Sequence, residues 1–115
     1  MHARVWQLRI RPGKLEEFRS ALDSLTPPAQ QQGGFRGVLV LGTGKKEAPD
    51  LTAVALWESL ETMRASEQNM LVTQATSRFV GCCEGFPRFQ EQEVLVFELS
   101  SSSPSPRATG SARVI

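Results

Sequence analysis

Few side chains in this sequence combine reactive chemistry with a place in a predicted core. Cys82 and Cys83 are adjacent, so they form either a dithiol redox switch or two reduced, small apolar side chains near a helix end. Two thiols do not make a four-ligand zinc site, and a bridge between neighbours would strain the backbone. We therefore favour the reduced interpretation. The single histidine, His2, lies at a terminus, where a solvated side chain is expected.

Charge and hydropathy exclude several classes of function. The chain has 115 residues, with 13 basic and 12 acidic side chains interspersed along it. Nucleic-acid binding depends on clustered lysines and arginines, so no nucleic-acid partner is expected. No apolar run approaches the roughly 20 residues that span a bilayer, and the amino terminus lacks the apolar core of a secretory signal. The sequence therefore predicts a cytoplasmic protein that does not bind membranes.

Apolar spacing predicts one helix and three strands in the first half of the chain. Four apolar residues from Leu15 to Leu25 recur at helical spacing. Pro27-Pro28 should end or sharply bend this helix, because neither ring nitrogen donates a hydrogen bond; whether a short turn resumes over residues 29–32 stays open. Strands are predicted over residues 3–10, 35–42 and 51–57, the last two joined by a polar hairpin loop over residues 42–50.

The second half of the chain predicts a bent helix and a last strand. Ser59 is well placed as the N-cap of this helix, whose apolar positions share one side if it bends near residues 66–69. Residues 91–99 predict the fourth strand, and the Ser/Pro-rich residues 100–115 a disordered tail. The order β-α-β-β-α-β predicts a ferredoxin-like α+β domain over residues 1–99, with a four-stranded antiparallel sheet and both helices on one side.

The predicted sheet is apolar on both faces. Residues 38–41 and residues 53–57 are consecutive apolar runs, whereas a strand with one wet face alternates apolar and polar residues. The two helices cover one face, and soluble monomers rarely leave an apolar patch of that size exposed. The sequence therefore predicts a homodimer in which two copies pack through their sheet faces.

Three segments of the chain resemble the antibiotic-biosynthesis monooxygenases, a family of small dimeric α+β barrel proteins. They are RPGKLEEFRSAL after the first strand, GGFRGVLVL at the second strand, and ALWESLETM where the third strand meets the second helix. The resemblance covers residues 2–99. It implies a ligand cavity between the sheet and the helices of each subunit. Such proteins include enzymes that oxidise phenols, anthrones or quinols with oxygen and no cofactor, and others that degrade haem.

The resemblance also implies roles for individual side chains. Trp57 matches a tryptophan of the family, and its indole N–H would donate to a substrate oxygen unless the ring simply fills the core. Arg78 lies near an Arg or His of related oxygenases, where a guanidinium would hold a phenolate or enolate; the alternative is a solvated helix face. Arg4 is a second candidate for anion binding. Trp6 would present aromatic surface to the substrate, or else pack in the core.

Other positions fit the family less closely. Met63 and Met70 would line an adaptable apolar pocket, with core filling as the alternative. Ala53 stands where the phenol oxygenases carry an asparagine, and Thr76 and Ser77 stand where a haem-binding histidine would be expected. Haem therefore has no ligand, and we expect neither a cofactor nor a metal.

The expected activity follows from the resemblance. We expect a cofactor-independent monooxygenase for a small aromatic, phenolic or quinol substrate, in which Trp57 and Arg78 stabilise the substrate anion. The sequence has no tyrosine, so Glu58 and Glu61 are the candidate bases. One alternative is a non-catalytic dimer that binds a hydrophobic small molecule, and another is a purely structural or protein-interaction barrel.

Overall fold

The four strands form one antiparallel sheet, and the helices lie against one of its faces. The computed structural model describes residues 1–46 and 48–100. The elements in chain order are β1 (His2–Arg9), α1 (Leu15–Gln32), β2 (Phe35–Lys45), β3 (Ala48–Trp57), α2 (Leu60–Ala65), a 3₁₀ turn (Ser66–Gln68), α3 (Met70–Gly81) and β4 (Arg88–Glu93). The strand order is β2-β3-β1-β4, with antiparallel neighbours throughout. The predicted ferredoxin-like α+β fold is confirmed.

The core lies between the sheet and the three helices. Phe18 of α1 and Phe79 of α3 pack ring to ring, with centroids 5.3 Å apart, above the central strands. Met63 of α2 is fully buried against Trp57 of β3 and Ala29 of α1. Because successive side chains of a strand point to opposite faces, each central strand sends every second residue into this layer. The helix-facing positions of β1 and β3 are therefore the ones that can build an internal site.

α1 continues through Pro27 and Pro28 to Gln32, so the prediction that the prolines end this helix is wrong. The prolines donate no amide hydrogen bond, which weakens an isolated helix at this point. Burial offsets the loss, because Pro28 and Ala29 both lie in the core. The Gln32 side chain also donates to the Thr62 carbonyl oxygen at 3.1 Å, which ties the last turn of α1 to α2. Tertiary packing thus overrides the local signal.

β2 and β3 form a longer hairpin than the sequence predicts. Their pairing continues through Gly44 and Pro49 to Lys45 and Ala48, where a polar loop over residues 42–50 is expected from the sequence. The paired residues of this extension include glycine, proline and lysine, so no apolar alternation marks it, although Pro49 is buried. Pro49 has no N–H to donate, and its carbonyl oxygen accepts a hydrogen bond from the Ile10 N–H at 3.1 Å. The hairpin prediction is right, and its loop length is wrong.

The predicted bend in the second helix is confirmed and takes the form of the 3₁₀ turn between α2 and α3. Ser59 caps α2 as expected: its hydroxyl accepts from the Thr62 N–H and its own N–H donates to the Thr62 hydroxyl, both at 3.1 Å. Asn69 caps α3, because its Oδ1 accepts from the N–H groups of Leu71 and Val72. Separate caps for α2 and α3 keep the backbone satisfied across the break.

β4 spans Arg88–Glu93, so the prediction of a strand over residues 91–99 is displaced. Its ladder pairs Arg88 with Gln7 and Glu93 with His2, and it closes where the Val94 N–H donates to the Met1 carbonyl oxygen at 2.9 Å. Pairing with β1 rather than apolar character therefore defines this polar edge strand. The apolar run that suggested a strand lies beyond it, outside any strand of the structure and largely exposed.

The outer face of the sheet, away from the helices, is apolar on three of its four strands. Its central row joins Leu39, Val54 and Val5 as register partners across β2, β3 and β1, and Gln90 of β4 completes the row. Leu39 is 50% exposed and the next outward side chain of β2, Leu41, is 54% exposed. The structure therefore has the second apolar face that the sequence predicts.

Two further expectations concern the chain ends and membranes. The predicted disordered tail, residues 100–115, lies outside the described residues apart from Ser100, and it stays a prediction. Within residues 1–46 and 48–100, no helix is both long enough and apolar enough to cross a membrane.

Cys82 and Cys83 are free thiols buried just after the last residue of α3. The Cys83 thiol donates to the Phe79 carbonyl oxygen, with Sγ and O 3.0 Å apart. Burial raises the pKa of both thiols; the nearby Glu17 carboxylate adds to the effect at Cys82, and Cys82 adds to it at Cys83. The structure agrees with the interpretation of two reduced, apolar side chains.

The fold gives a steric prediction at Gly34, which precedes β2. A Cβ placed on Gly34 would lie 2.5 Å from the Thr62 Cβ, and the φ of Gly34 is +83°. We expect Gly34→Ala to lower the free energy of unfolding by about 2–4 kcal/mol, from left-handed strain plus overpacking. Gly13→Ala is the matched control, because Gly13 has a φ of +79° with nothing within 4 Å, and it should lose about 1–2 kcal/mol. Equal losses in urea denaturation would contradict a steric role for Thr62.

The buried thiols give a prediction about pH. Because their pKa values are raised in the folded state, the native protein keeps these protons at pH values where the unfolded chain releases them. The contribution of the thiols to the free energy of unfolding should therefore be fully present below about pH 8 and should fall as the pH rises further. Urea unfolding at about pH 7 and about pH 10 measures the effect. The Cys82→Ala, Cys83→Ala double variant should lose this pH dependence, and an unchanged slope would reject the thiols as its source.

Candidate functional site

A small cavity lies between the sheet and the helices. Its volume is about 60 Å³, enough for roughly two water-sized molecules. Most of its wall is apolar, contributed by the facing sides of the strands, α1 and α3. The polar groups in the wall are few, namely Arg4, Ser66, Thr76 and the two indole rings of Trp6 and Trp57. An apolar chamber with a small number of convergent polar groups is typical of a small-molecule site.

A second, more open pocket adjoins this inner cavity. Its volume is about 220 Å³, and it lies between β1, β4, the 3₁₀ turn and the first part of α3. The lining residues common to both spaces are Arg4, Trp6, Ser66, Val72 and Thr76. Glu67, Thr73 and Phe89 line the outer pocket only. The outer pocket is therefore a wider space next to the inner cavity, and Arg4 lies where the two meet.

The structure brings both predicted tryptophans to the inner cavity. Trp57, the last residue of β3, is 4% exposed and packs edge-on against Phe35 at 5.2 Å between centroids. Trp6 in the middle of β1 stacks against Phe89 of β4, with centroids 4.9 Å apart. Neither indole N–H has a hydrogen-bond acceptor among the residues that the structure describes. Both tryptophans thus combine a packing role with a free donor group.

Arg4 is the one cationic side chain in the described wall of these two spaces. It lies on the helix-facing side of β1, with its side chain 13% exposed, and it donates to Glu91 at 2.8 Å and to Glu67. Its guanidinium carbon lies 5.5 Å from the centroid of the Phe89 ring. Arg4 Nε is buried and has no hydrogen-bond partner within the described chain. A buried donor without a partner is uncommon in a folded protein and marks a position where a ligand acceptor would be stabilised.

Glu91 and Arg64 extend the charge cluster around Arg4. The hydrogen bond from Arg4 lowers the pKa of Glu91, and the charges of Arg4, Arg64 and His2 act in the same direction against a partial opposing effect of desolvation. The Arg64 guanidinium lies 3.7 Å from the Glu91 carboxylate. His2 belongs to β1, and its Nδ1 is buried without a partner, so the expectation of a solvated terminal histidine is wrong. Glu91 is therefore a firmly ionised counterion.

The structure does not bring Arg78 to the cavity. Its guanidinium lies on the exposed side of α3 and donates to Ser24 at 2.8 Å and to Ser20 at 3.2 Å, which joins α3 to α1. Thr76 and Phe79 take the inward positions of this helix, and the turn of 100° per residue places Arg78 away from them. The structure thus gives Arg78 a helix–helix contact in place of the predicted contact with a substrate anion.

The two methionines also lie outside the cavity wall. Met63 is fully buried behind Trp57, so it supports the tryptophan without facing the cavity. Met70 begins α3, next to the capping residue Asn69, and is 73% exposed. Of the two alternatives for Met63, the core-filling one agrees with the structure.

The carboxylates near the site differ from those that the sequence suggests. Glu58 forms an exposed ion pair with Arg36 at 3.5 Å, and neither Glu58 nor Glu61 lines the inner cavity or the outer pocket. Glu67 does line the outer pocket, beside Arg4. No local motif marks Glu67, because it depends on the 3₁₀ turn crossing above β1. Among residues 1–46 and 48–100, no group of three His, Cys, Asp or Glu side chains could hold a metal ion.

Solved structures resemble the chain in fold. SnoaB, a cofactor-independent oxygenase from Streptomyces nogalater solved as a point mutant, superposes with a TM-score of 0.70 at 14% identity, covering 84% of this chain and 94% of that one. A dimeric ferredoxin-like protein of unknown function from Jannaschia gives 0.68 at 13% identity, covering 81% and 98%. A protein of unknown function from Nitrosomonas europaea gives 0.64 at 17% identity, covering 87% and 94%.

Sequence comparison is more specific than these superpositions. No curated protein matches the chain. The sequence model that describes antibiotic biosynthesis monooxygenases matches residues 1–78, which include β1, all three helices except the end of α3, and the whole β2–β3 hairpin. That span also carries Arg4, Trp6, Trp57 and Glu67. The chain therefore belongs to the antibiotic biosynthesis monooxygenase family.

Proposed function

We propose that this chain is a cofactor-independent monooxygenase that acts on a small hydroxylated aromatic or quinol substrate. One observation carries the proposal: a guanidinium with an unpartnered, buried N–H lies in the wall of a cavity that is otherwise apolar and aromatic. Such a wall accepts an uncharged ring, and the guanidinium accepts the oxygen of that ring once it is ionised. Family membership and the likeness to a cofactor-independent oxygenase support the same activity.

The sizes of the two spaces suggest how the reactants divide between them. The inner cavity, at about 60 Å³, is too small for an aromatic ring system but large enough for a diatomic molecule such as dioxygen. The outer pocket, at about 220 Å³, offers the stacked Trp6 and Phe89 as a ring-binding wall. In our proposal the ring occupies the outer pocket, with its reactive carbon directed toward the inner cavity and its oxygen toward Arg4.

The proposed chemistry needs no external reductant. Loss of the hydroxyl proton makes the ring electron-rich enough to reduce dioxygen, and Arg4 together with the Trp57 N–H stabilises the resulting anion. For a substrate with a ring CH₂ group, the balance is CH₂ + O₂ → C=O + H₂O. One oxygen atom enters the substrate, the other leaves as water, and the substrate supplies all the electrons. The apolar walls limit the water that would otherwise compete for the anion.

Oxygen uptake tests the proposed activity. We expect uptake with one or more members of a panel of anthrones, quinols and flavonoid-like phenols. Arg4→Gln should lower kcat/KM on the order of a hundredfold, since a charged hydrogen bond to the anion contributes about 3 kcal/mol, and Trp57→Phe should lower it about tenfold. Arg78→Gln is the matched arginine control and should stay near wild type. Equal losses in the two arginine variants would contradict the assignment to Arg4.

A different outcome would favour a binding protein. If a panel compound raises the thermal unfolding temperature of the wild type while the oxygen concentration stays constant, the cavity is a ligand site without oxygenase activity. The unpartnered donors would then serve affinity alone.

We further propose that two copies associate through their outer sheet faces. The exposed leucines of β2 and the valine row across β3 and β1 form a contiguous apolar surface that a second copy would cover by the same residues. Residues after β4, including Leu95 and Phe97, add exposed apolar side chains. The dimeric state of the ferredoxin-like protein from Jannaschia supports this arrangement.

Light scattering should give twice the mass of one chain at micromolar protein concentration. Leu39→Glu places an unpaired charge in the proposed interface, which costs about 3 kcal/mol or more and should raise the dissociation constant by at least roughly a hundredfold. Leu71→Glu is the control, because Leu71 is 58% exposed on α3 and lies away from the sheet. A monomeric wild type, or a Leu39→Glu variant that remains dimeric, would contradict the proposal.

A further inference from the structure

Arg4 and Glu67 contact each other in the wall of the outer pocket. Both side chains line this pocket, and the Arg4 guanidinium donates directly to the Glu67 carboxylate. A phenolic hydroxyl bound here would therefore meet a proton acceptor and an anion-binding group that are already paired with each other. The pair therefore places a carboxylate that can accept a proton next to a guanidinium that can bind the resulting anion.

The charges around Arg4 balance before any ligand binds. Two cations, Arg4 and Arg64, face two carboxylates, Glu67 and Glu91, through contacts of less than 4 Å. An anionic ligand added to this cluster would leave it with one uncompensated negative charge, and the two carboxylates beside Arg4 would repel it. The excess charge disappears if one of the two carboxylates takes up a proton as the ligand loses one.

Resting on the proposed function, we infer that Glu67 accepts the hydroxyl proton of the substrate while Arg4 changes partner, from the Glu67 carboxylate to the new substrate oxyanion. The substrate O–H bond breaks, and its proton forms an O–H bond on Glu67. The electron pair stays on the substrate oxygen, which pairs with Arg4. The total charge is the same before and after the step, and no proton passes to the solvent.

Glu67 suits this exchange better than Glu91. Glu91 does not line either space, and it keeps Arg64 as a second cation at 3.7 Å. The hydrogen bond from Arg4 and the additional charge of Arg64 both lower the pKa of Glu91, so a proton there is disfavoured. The Glu67 side chain is 50% exposed, which leaves it room to turn away from Arg4 once protonated. Its backbone is held meanwhile by the Thr73 hydroxyl, which donates to the Glu67 carbonyl oxygen at 3.3 Å.

Binding of 4-nitrophenol tests the exchange without any need for turnover, because the neutral and ionised forms of this probe absorb at different wavelengths. The measurement is made roughly one unit below the pKa of the free probe, where the free probe is mostly neutral and carboxylates are ionised. Absorbance gives the ionised fraction of the bound probe. Calorimetric titration in buffers of different ionisation enthalpy gives the number of protons released on binding.

We expect the wild type to bind the probe as phenolate with close to zero net protons released, because Glu67 retains the proton. Glu67→Gln should still bind phenolate, several-fold more tightly because Arg4 has lost a competing partner, but with about one proton released per bound probe. Arg4→Gln should bind the probe in its neutral form. Glu16→Gln, a surface carboxylate on α1, should behave as the wild type.

Three results would overturn the inference. They are release of about one proton by the wild type, a neutral bound probe in the wild type, and no binding of the probe at all. Circular dichroism and thermal unfolding establish that each variant is folded. If the exchange is observed but no compound of the panel supports oxygen uptake, the acid–base pair stands and the oxygenase proposal falls. If uptake is observed while the wild type releases the proton, the oxygenase proposal stands and the acid–base pair falls.

Discussion

A guanidinium keeps its charge at every physiological pH, so a fold that buries one must bring anions to it. Here the buried guanidinium is that of Arg4 on the central strand β1, and the anions arrive from two separate elements. Glu67 is delivered by the 3₁₀ turn and Glu91 by β4. The break in the second helix and the polar edge strand look like irregularities when each is considered alone. Together they complete the charge balance on which the candidate site depends.

The apolar part of the site follows from how β3 passes into α2. Trp57 is the last residue of the strand, and Ser59 begins the helix with a capping box. The backbone on both sides of Trp57 is therefore held in a regular element, which fixes where the indole starts. Met63 then packs behind Trp57, and Ala29 holds Met63 from α1. The last part of α1, beyond its prolines, belongs to this support, because a helix that ended at Pro27 would not hold Ala29 against Met63. Rigid aromatic walls and a charged junction are what a site needs to hold a flat, ionisable ligand in one orientation.

The element order, the cap at Ser59 and the apolar outer face could be read from sequence, because each rests on local periodicity or on a short-range hydrogen bond. The limits of α1 and β4 could not, because burial of Ala29 and pairing with β1 decide them. The same division applies to the site. Trp6, Trp57 and Arg4 could be chosen from the sequence, because they lie in predicted strands and correspond to site positions of the family that the chain resembles. The position of Arg78 outside the cavity wall could not be predicted, because it depends on the rotation of α3. Glu67 was missed because its contact with Arg4 spans 63 residues of sequence.

β1 serves two surfaces at once. Its even-numbered residues Arg4, Trp6 and Leu8 face the cavity, and the intervening Val5 belongs to the outer row that includes Leu39. A one-residue insertion or deletion in this strand would exchange the two sets completely. Substitutions along residues 4–8 should therefore disturb the fold less than an insertion or deletion there, and changes of chain length should be tolerated best in the β2–β3 hairpin and after β4.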